Sequence, residues 1–248
     1  MHRPPPAIDP QQHVLFLDVD GTLLDIQAHP GDVVADDEIM TLLKALESKL
    51  GIALVSGRTI DEIDRVFSPH RFPAAGEHGA RIRRPDGSEE STGHEVLPDE
   101  AFERAVRFAG ERDGLLLEGK SAGFALHYRA APDLEDACRA FMTSLKEDID
   151  EGVRLLEGKM VLELASGASN KGTAVEAFLC APPFSERVPF YVGDDVTDED
   201  AFDVVNSAGG YSVRVGAAVD TAANYLLDDV RAVRQWLGSA VNGGSDGR

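Results

Sequence analysis

Residues 14–24, Val14-Leu15-Phe16-Leu17-Asp18-Val19-Asp20-Gly21-Thr22-Leu23-Leu24, decide how the rest of the chain is read. Four apolar residues in a row spell a strand buried on both faces, and the chain leaves that strand through two acids and a glycine. Side chains alternate along a strand, so Asp18 and Asp20 are expected on one face, emerging where the strand ends. Two carboxylates that close repel each other, and folding them together needs a counter-cation or a shared proton. An Asp-Gly pair after an apolar strand is also an ordinary turn signal. A turn accounts for Asp20 and Gly21 and leaves Asp18 unexplained.

Outward from this strand, placed at 14–19, the pattern alternates. Residues 35–50 carry Ile39, Leu42, Leu43, Leu46 and Leu50 at helical spacing, and Gly51 stops the run. Ile52–Val55 reads as a second buried strand ending in Ser56-Gly57-Arg58, followed by a short helix over 59–67. Further on, 171–179 is helical, 188–192 is a strand and 198–205 is a helix. This βαβ alternation predicts an α/β fold, a Rossmann-like parallel sheet covered on both faces. The middle of the chain differs. Residues 115–120, 123–129 and 159–164 show two-residue alternation, the pattern of a sheet with one wet face, and 99–112 and 133–150 read as amphipathic helices. A smaller α+β module is therefore expected at 96–166, inserted into a discontinuous core of 13–95 and 167–238, with flexible termini at 1–12 and 239–248.

The bulk numbers bound the function. With 248 residues, 43% hydrophobic and 27% charged, the chain has the composition of a soluble globular protein of one or two domains. No apolar run reaches the length of a membrane span. Cys138 and Cys180 form no Cys-x-x-Cys, and the opening residues carry no apolar signal core, so a cytoplasmic location is expected. The histidines show no zinc-ligand spacing. A formal net charge of −20 argues against nucleic acid or an anionic membrane as partner. An anionic substrate would need a locally positive pocket made by a metal or by a few convergent Lys and Arg.

Ligands of open α/β sheets bind beyond the carboxyl ends of the strands. Four polar clusters are expected there: Asp18 with Asp20, Ser56-Gly57-Arg58, Ser169-Asn170-Lys171-Gly172, and Gly193-Asp194-Asp195-Val196-Thr197-Asp198. Ser56-Gly57 alone reads equally as a strand-to-helix turn. Lys171 opposes the dipole at a helix start, which makes a purely structural role less natural. Thr197 reads as a helix cap, with Glu199 and Asp200 complementing the dipole, but that leaves Asp194 and Asp195 unexplained. In this order along the chain the four clusters resemble the motifs of the haloacid dehalogenase phosphohydrolase superfamily. The resemblance implies a parallel-sheet core with an inserted cap, an aspartyl-phosphate mechanism and a Mg2+ ion. Asp18 would be the nucleophile and Asp20 the general acid and base. Asp18, the Asp20 main-chain carbonyl and Asp194 would be metal ligands, with Asp195 beside them. Ser56, Gly57 and Lys171 would hold the phosphoryl group.

Further segments resemble the trehalose-6-phosphate phosphatase family more specifically. These are Gly76-Glu77-His78-Gly79-Ala80, Glu118-Gly119-Lys120, His127-Tyr128-Arg129, Gly158-Lys159-Met160-Val161-Leu162-Glu163 and the long acidic run after Gly193. In the inserted module, Phe124, Leu126 and Tyr128 are expected on one face, with Ala125, His127 and Arg129 on the other. Lys159, Val161 and Glu163 likewise share a face, as do Glu118 and Lys120. A solvated face with cross-strand ion pairs is the plain alternative. Under the resemblance, Glu118, Lys120, Lys159 and Glu163 contact a sugar, joined by His127, Arg129, Glu77 and His78. The family often continues Leu-Glu-Leu with Arg-Pro or Lys-Pro; here Ala165-Ser166-Gly167 follows. The implied activity is hydrolysis of trehalose 6-phosphate, a small sugar phosphate, with a functional link to trehalose-6-phosphate synthase and closure about crossings near 95 and 166. Alternatives are a phosphatase for sucrose phosphate or a glycosyl-phosphoglycerate, a phosphotransferase, and a non-catalytic sugar-phosphate binder that partners a synthase.

Overall fold

The computed structural model describes residues 3–27, 30–92, 97–120, 123–149, 152–167, 169–217 and 220–242. In chain order the elements are β1 (His13–Leu17), α1 (Asp37–Glu47), β2 (Ile52–Val55), α2 (Ile60–Val66), β3 (Ala74–Gly76), β4 (Arg81–Arg83), β5 (Glu89–Ser91) and α3 (Asp99–Gly110). There follow β6 (Leu116–Lys120), β7 (Gly123–His127), α4 (Glu135–Asp148), β8 (Val153–Gly158) and β9 (Val161–Ser166). The chain ends with α5 (Lys171–Leu179), β10 (Val188–Gly193), α6 (Glu199–Ser207), β11 (Tyr211–Val215), β12 (Tyr225–Leu227) and α7 (Val230–Asn242).

All five residues of β1 are buried, because β1 lies at the centre of a sheet covered on both faces. The alternation of a strand sorts them into two cores. Leu15 and Leu17 join Ile52, Leu54, Phe190 and Val192 on one face, where Leu43 and Leu46 of α1, Ile63 of α2 and Leu237 of α7 pack. Val14 and Phe16 join Ala53, Val55 and Tyr191 on the other, against Val175 and Phe178 of α5 and Phe202 of α6. The sheet order is β12-β11-β10-β1-β2-β3-β4-β5. Pairing is parallel from β12 through β3, and β4 runs antiparallel to β3. Helical crossovers joining parallel neighbours are the βαβ arrangement read from the apolar runs.

Residue contacts divide the chain into two units, Met1–Glu90 with Asn170–Arg248, and Ser91–Ser169. The expected boundary at 95/96 lies outside the described residues. The second unit has its own antiparallel sheet, ordered β6-β7-β9-β8. One face carries Phe124, Leu126, Tyr128, Leu162 and Leu164 against Ala101 and Ala105 of α3 and Cys138, Met142 and Leu145 of α4. It is a complete small core, which is why the two-residue alternation was legible here.

Several expectations are corrected. Val153–Gly158 forms the edge strand β8, although Val-Arg-Leu-Leu-Glu-Gly does not alternate. β9 starts at Val161, so Lys159 is not in the strand. Lys159 and Met160 form the two-residue turn of the β8–β9 hairpin, with Met160 at φ +62°. The short strands β3, β4, β5, β11 and β12 carry too little periodicity to be read in advance, whereas α7 went unread although Val230, Val233, Leu237 and Ala240 stand at helical spacing. The first residues are not a loose arm: Ile8 is buried in the core, the Trp236 indole N–H donates to the Pro6 carbonyl (2.9 Å), and the Asp9 amide donates to His13 Nδ1 (2.8 Å). Helix α7 continues through residues 239–242, with Ala240 buried, because its apolar face packs on the sheet. Residues 1–2 and 243–248 lie outside the described residues.

Phe16 is fully buried, stacked on Phe184 (5.3 Å) and tilted against Phe178 (5.9 Å). Phe16→Ala is expected to lower stability by about 3–5 kcal/mol, read as a shift in the denaturant midpoint. Val34→Ala, at a 69% exposed site, should change it by less than about 0.5 kcal/mol.

Candidate active site

Strands β10, β1 and β2 are neighbours in the sheet and parallel, so their carboxyl ends lie side by side. Asp18 follows the last residue of β1, Ser56 the last of β2, and Asp194 the last of β10. The Asp18 amide still donates to the Val192 carbonyl (2.9 Å), which extends the parallel ladder by one step and holds the acid at the sheet edge. Beyond it the chain turns sharply. The Val19 carbonyl accepts from the amides of Leu23 and Leu24 (3.0 Å each), and the Gly21 amide donates to the Leu24 carbonyl (2.7 Å). Gly21 has φ +86°, and a Cβ there would overlap the Asp194 carboxylate, so only glycine meets both conditions.

Lys171 opens α5. Asn170 caps the helix: its side chain accepts from the Thr173 amide (2.8 Å) while Thr173 Oγ1 accepts from the Asn170 amide (3.0 Å). The lysine side chain is 3% exposed, and Nζ donates to Asp18 Oδ1 (2.7 Å) and to Asp198 Oδ1 (2.6 Å). Asp198 is fully buried. Its Oδ1 also accepts from the Tyr191 hydroxyl (2.7 Å), and its Oδ2 from the Asp195 amide (2.8 Å).

Carboxylate oxygens of Asp18, Asp194 and Asp198 lie within 4.8 Å of one another. Counted as ionised, three carboxylates against one ammonium leave a formal charge of −2 in a largely buried space, with Asp194 its half-buried member. Burial pushes the Asp18 pKa well above its ordinary value; Lys171 opposes this, and the carboxylates of Asp198 and Asp194 add to it. Burial works against the charge of Lys171, but Asp18 and Asp198 outweigh it and hold the ammonium above the ordinary lysine range. The Tyr191 phenol is pushed well up by burial and then by Asp198. A small divalent cation with a preference for oxygen would complete this charge balance, and three convergent carboxylates are a fitting donor set.

Asp20 does not share this environment. The turn at Gly21 sends its carboxylate to Arg58, whose Nε and second terminal nitrogen donate to the two oxygens at 2.6 Å each. Asp195 is a second correction. Its side chain accepts from the Val196 amide (2.7 Å), capping a short 3-10 turn at Val196–Asp198, so the cap is Asp195 rather than Thr197, and the third carboxylate of the cluster is Asp198. The i, i+4 spacing of Asp194 and Asp198 was visible in the sequence, but a helix start explained it too easily. Tyr191, inside a buried strand, gave no signal.

Ser56 is buried, with its hydroxyl accepting from the Arg58 amide (3.2 Å). Gly57 faces the His78 ring closely enough that a Cβ would clash. Glu77 and His78 serve this turn with their backbones: the Glu77 amide donates to the Arg58 carbonyl (2.8 Å) and the His78 amide to the Ser56 carbonyl (3.0 Å).

In the second unit, Glu118, Ala125 and Glu163 lie in one cross-strand row, so Glu118, Lys120, His127 and Glu163 share the face opposite the apolar core. Lys120 Nζ donates to Glu163 Oε2 (2.5 Å), with both side chains under 10% exposed. His127 Nε2 pairs with Glu118 Oε2 (2.9 Å), and this hydrogen bond holds the Glu118 carboxyl below its usual value. Lys159 lies in the hairpin turn just ahead of Val161, the cross-strand partner of His127. Arg129 lies past the end of β7 and donates to the Lys159 carbonyl (3.0 Å) at the hairpin turn.

The trehalose-phosphatase family model matches residues 16–231. The chain is 42% identical over 219 residues to a probable trehalose-phosphate phosphatase of Sinorhizobium fredii, covering 86% of this chain and 81% of that one. It is 39% identical over 233 residues to the trehalose-6-phosphate phosphatase of Escherichia coli, covering 91% and 85%. Among solved structures, a trehalose-6-phosphate phosphatase related protein superposes with a TM-score of 0.78 at 27% identity, over 93% of this chain and 98% of that one. With its strand-end acids, its buried lysine and a family match over most of its length, this chain belongs to the trehalose-phosphatase family.

Proposed function

We propose that the protein hydrolyses trehalose 6-phosphate to trehalose and inorganic phosphate, with Mg2+ bound at the acidic cluster. The observation that carries the reading is the cluster of Asp18, Asp194 and Asp198, with buried Lys171 bridging Asp18 and Asp198, in a chain of this family. Phosphate monoesters hydrolyse extremely slowly in water, so the site must stabilise charge strongly. Asp18, fixed at the end of β1, attacks phosphorus; the bond from phosphorus to the sugar oxygen breaks and an aspartyl-phosphate forms. Asp20 gives the departing sugar oxygen its proton. Water then attacks the phosphoryl group, passes a proton to Asp20, and phosphate leaves with Asp18 restored.

Lys171 and Ser56, with the Gly57 turn, hold phosphoryl oxygens, and Lys171 offsets the charge that develops on them. Asp18, Asp194 and the Asp20 carbonyl would hold the ion, with Asp198 beside them. The ion would supply charge neutralisation at the phosphoryl oxygens. Glu118, Lys120 and Glu163 contact the sugar, since mixed acceptors and donors on one polar face suit hydroxyls, and His127 orients Glu118. Lys159, in the hairpin turn, and Arg129, which donates to its carbonyl, would add donors to the sugar from the edge of this face. A functional link to trehalose-6-phosphate synthase goes with this reading, supported by a relative of Thermoproteus tenax that is a bifunctional trehalose-6-phosphate synthase/phosphatase.

Phosphate release from a panel of sugar phosphates should be strongest with trehalose 6-phosphate and vanish in excess chelator. Magnesium-dependent release from other sugars alone would overturn the substrate. Asp18→Asn should abolish turnover while leaving the circular dichroism spectrum unchanged. Adding Mg2+ should raise the thermal midpoint of the wild type and have far less effect on Asp194→Asn. Glu163→Ala should raise KM for trehalose 6-phosphate at least about 10-fold more than for an aryl phosphate, since only the former carries the sugar hydroxyls assigned to the Lys120–Glu163 pair. Equal effects on both would remove Glu163 from the sugar site.

A further inference from the structure

We propose that Arg58 is the positioning residue of Asp20, and that residues 76–79 exist to hold it in place; this rests on the acid-base reading of Asp20. The two N–H groups of the guanidinium meet the two carboxylate oxygens at 2.6 Å each, a two-point grip that fixes the plane of the carboxylate as well as its distance. The Arg58 side chain is only 9% exposed, whereas that of Asp20 is 32% exposed. The buried partner is therefore the fixed one, and the acid is presented outward from it.

The anchor of Arg58 is built from several hydrogen bonds around one turn. Its amide donates to Ser56 Oγ (3.2 Å), and its carbonyl accepts from the Glu77 amide (2.8 Å). The next residue, Thr59, caps α2 in a reciprocal box with Glu62, so the chain is gripped on both sides of Arg58. Glu77 and His78 stand at φ +52° and +53°, a conformation that non-glycine residues adopt only where the surroundings demand it. That conformation is what aims their two amides at the carbonyls of Arg58 and Ser56. Gly57 completes the fit, because any side chain there would strike the His78 ring. Strained backbone spent on one arginine turn is more than an ordinary surface ion pair requires. The Gly-Glu-His-Gly segment thus acts through its backbone on Arg58, and through Arg58 on Asp20.

Protonation of the leaving oxygen matters for a sugar ester and hardly at all for 4-nitrophenyl phosphate, whose leaving group departs as a stable anion. The parameter kcat/KM reports steps up to the first irreversible one, the transfer to Asp18. It should be measured for both esters in the wild type, Arg58→Gln, Asp20→Asn and the double variant, with thermal midpoints recorded for each. Arg58→Gln should lower kcat/KM about 100-fold for trehalose 6-phosphate and less than about 5-fold for the aryl ester. In the Asp20→Asn background the same change should cost less than about 2-fold, because a residue acting only through Asp20 has nothing left to position.

Equal losses on the two esters, or additive losses in the double variant, would overturn the proposal. Arg58→Lys keeps the charge and loses the two-point grip, so it should retain the discrimination between esters. Wild-type rates for trehalose 6-phosphate from Arg58→Lys would also overturn it. An unimpaired Asp20→Asn would instead overturn the acid-base reading on which the proposal stands, and a wild type inactive on trehalose 6-phosphate but active on glucose 6-phosphate would overturn only the substrate, leaving the Arg58 comparison to be read on the latter ester.

Discussion

Two buried carboxylates, Asp18 and Asp198, a half-buried third, Asp194, and the buried ammonium of Lys171 converge beyond the carboxyl ends of parallel strands, and most of the first unit is arranged around that fact. Isolated charges do not survive burial; they must be paired, hydrogen-bonded or neutralised. Lys171 bridges Asp18 and Asp198, Tyr191 and the Asp195 amide satisfy further lone pairs of Asp198, and Gly21 leaves room for Asp194. What these groups do not do is cancel the charge. The remaining negative excess is the physical reason that an oxygen-seeking cation suits the site, and only such a cation together with Lys171 would make it receptive to an anionic phosphoryl group in a protein whose net charge is −20.

Holding this cluster needs local structure that is correct to within a fraction of an ångström, and each motif supplies it through its backbone. Asn170 and Thr173 fix the start of α5 and so the root of Lys171. Asp195 and Asp198 exchange hydrogen bonds across a short turn, which sets the orientation of Asp198. The Ser-Gly-Arg turn is bonded to the amides of Glu77 and His78. In each case a residue that looks chemical in the sequence is doing positional work, and the reacting groups are few.

The second unit solves a related problem with a different balance. Its sheet hides one apolar face under α3 and α4 and gathers Glu118, Lys120, His127 and Glu163 on the other. The Lys120–Glu163 pair is nearly buried, so removal of either partner leaves an uncompensated charge. Such a face is stable only when its charges match, and the same matched donors and acceptors are what polyhydroxyl ligands need.

Much of this was legible in the linear chain. Continuous apolar runs located β1, β2 and β10, because strands buried on both faces cannot alternate. Clean alternation located β6, β7 and β9, because one face of that sheet is apolar and the other polar. Asp18, Ser56, Lys171 and Asp194 were legible because each stands directly after a strand or opens a helix, where side chains of neighbouring strands must meet. Periodicity could not reveal β8, an edge strand whose burial is partial, nor that Lys159 sits in a turn, since one residue of shift reverses the face of a strand. The partner of each acid was also beyond reach. Asp20 pairs with Arg58, Asp195 caps a turn and Asp198 joins the cluster, and these outcomes depend on turn dihedrals and on contacts across as many as 153 residues of sequence. The sequence by itself determined the fold class, the order of the strand-end motifs and the chemistry they can perform, because these follow from local periodicity and residue type. Which carboxylate faces which cation was decided only by the tertiary structure, because electrostatic pairing depends on distance and burial in space, and neither is a property of the linear chain.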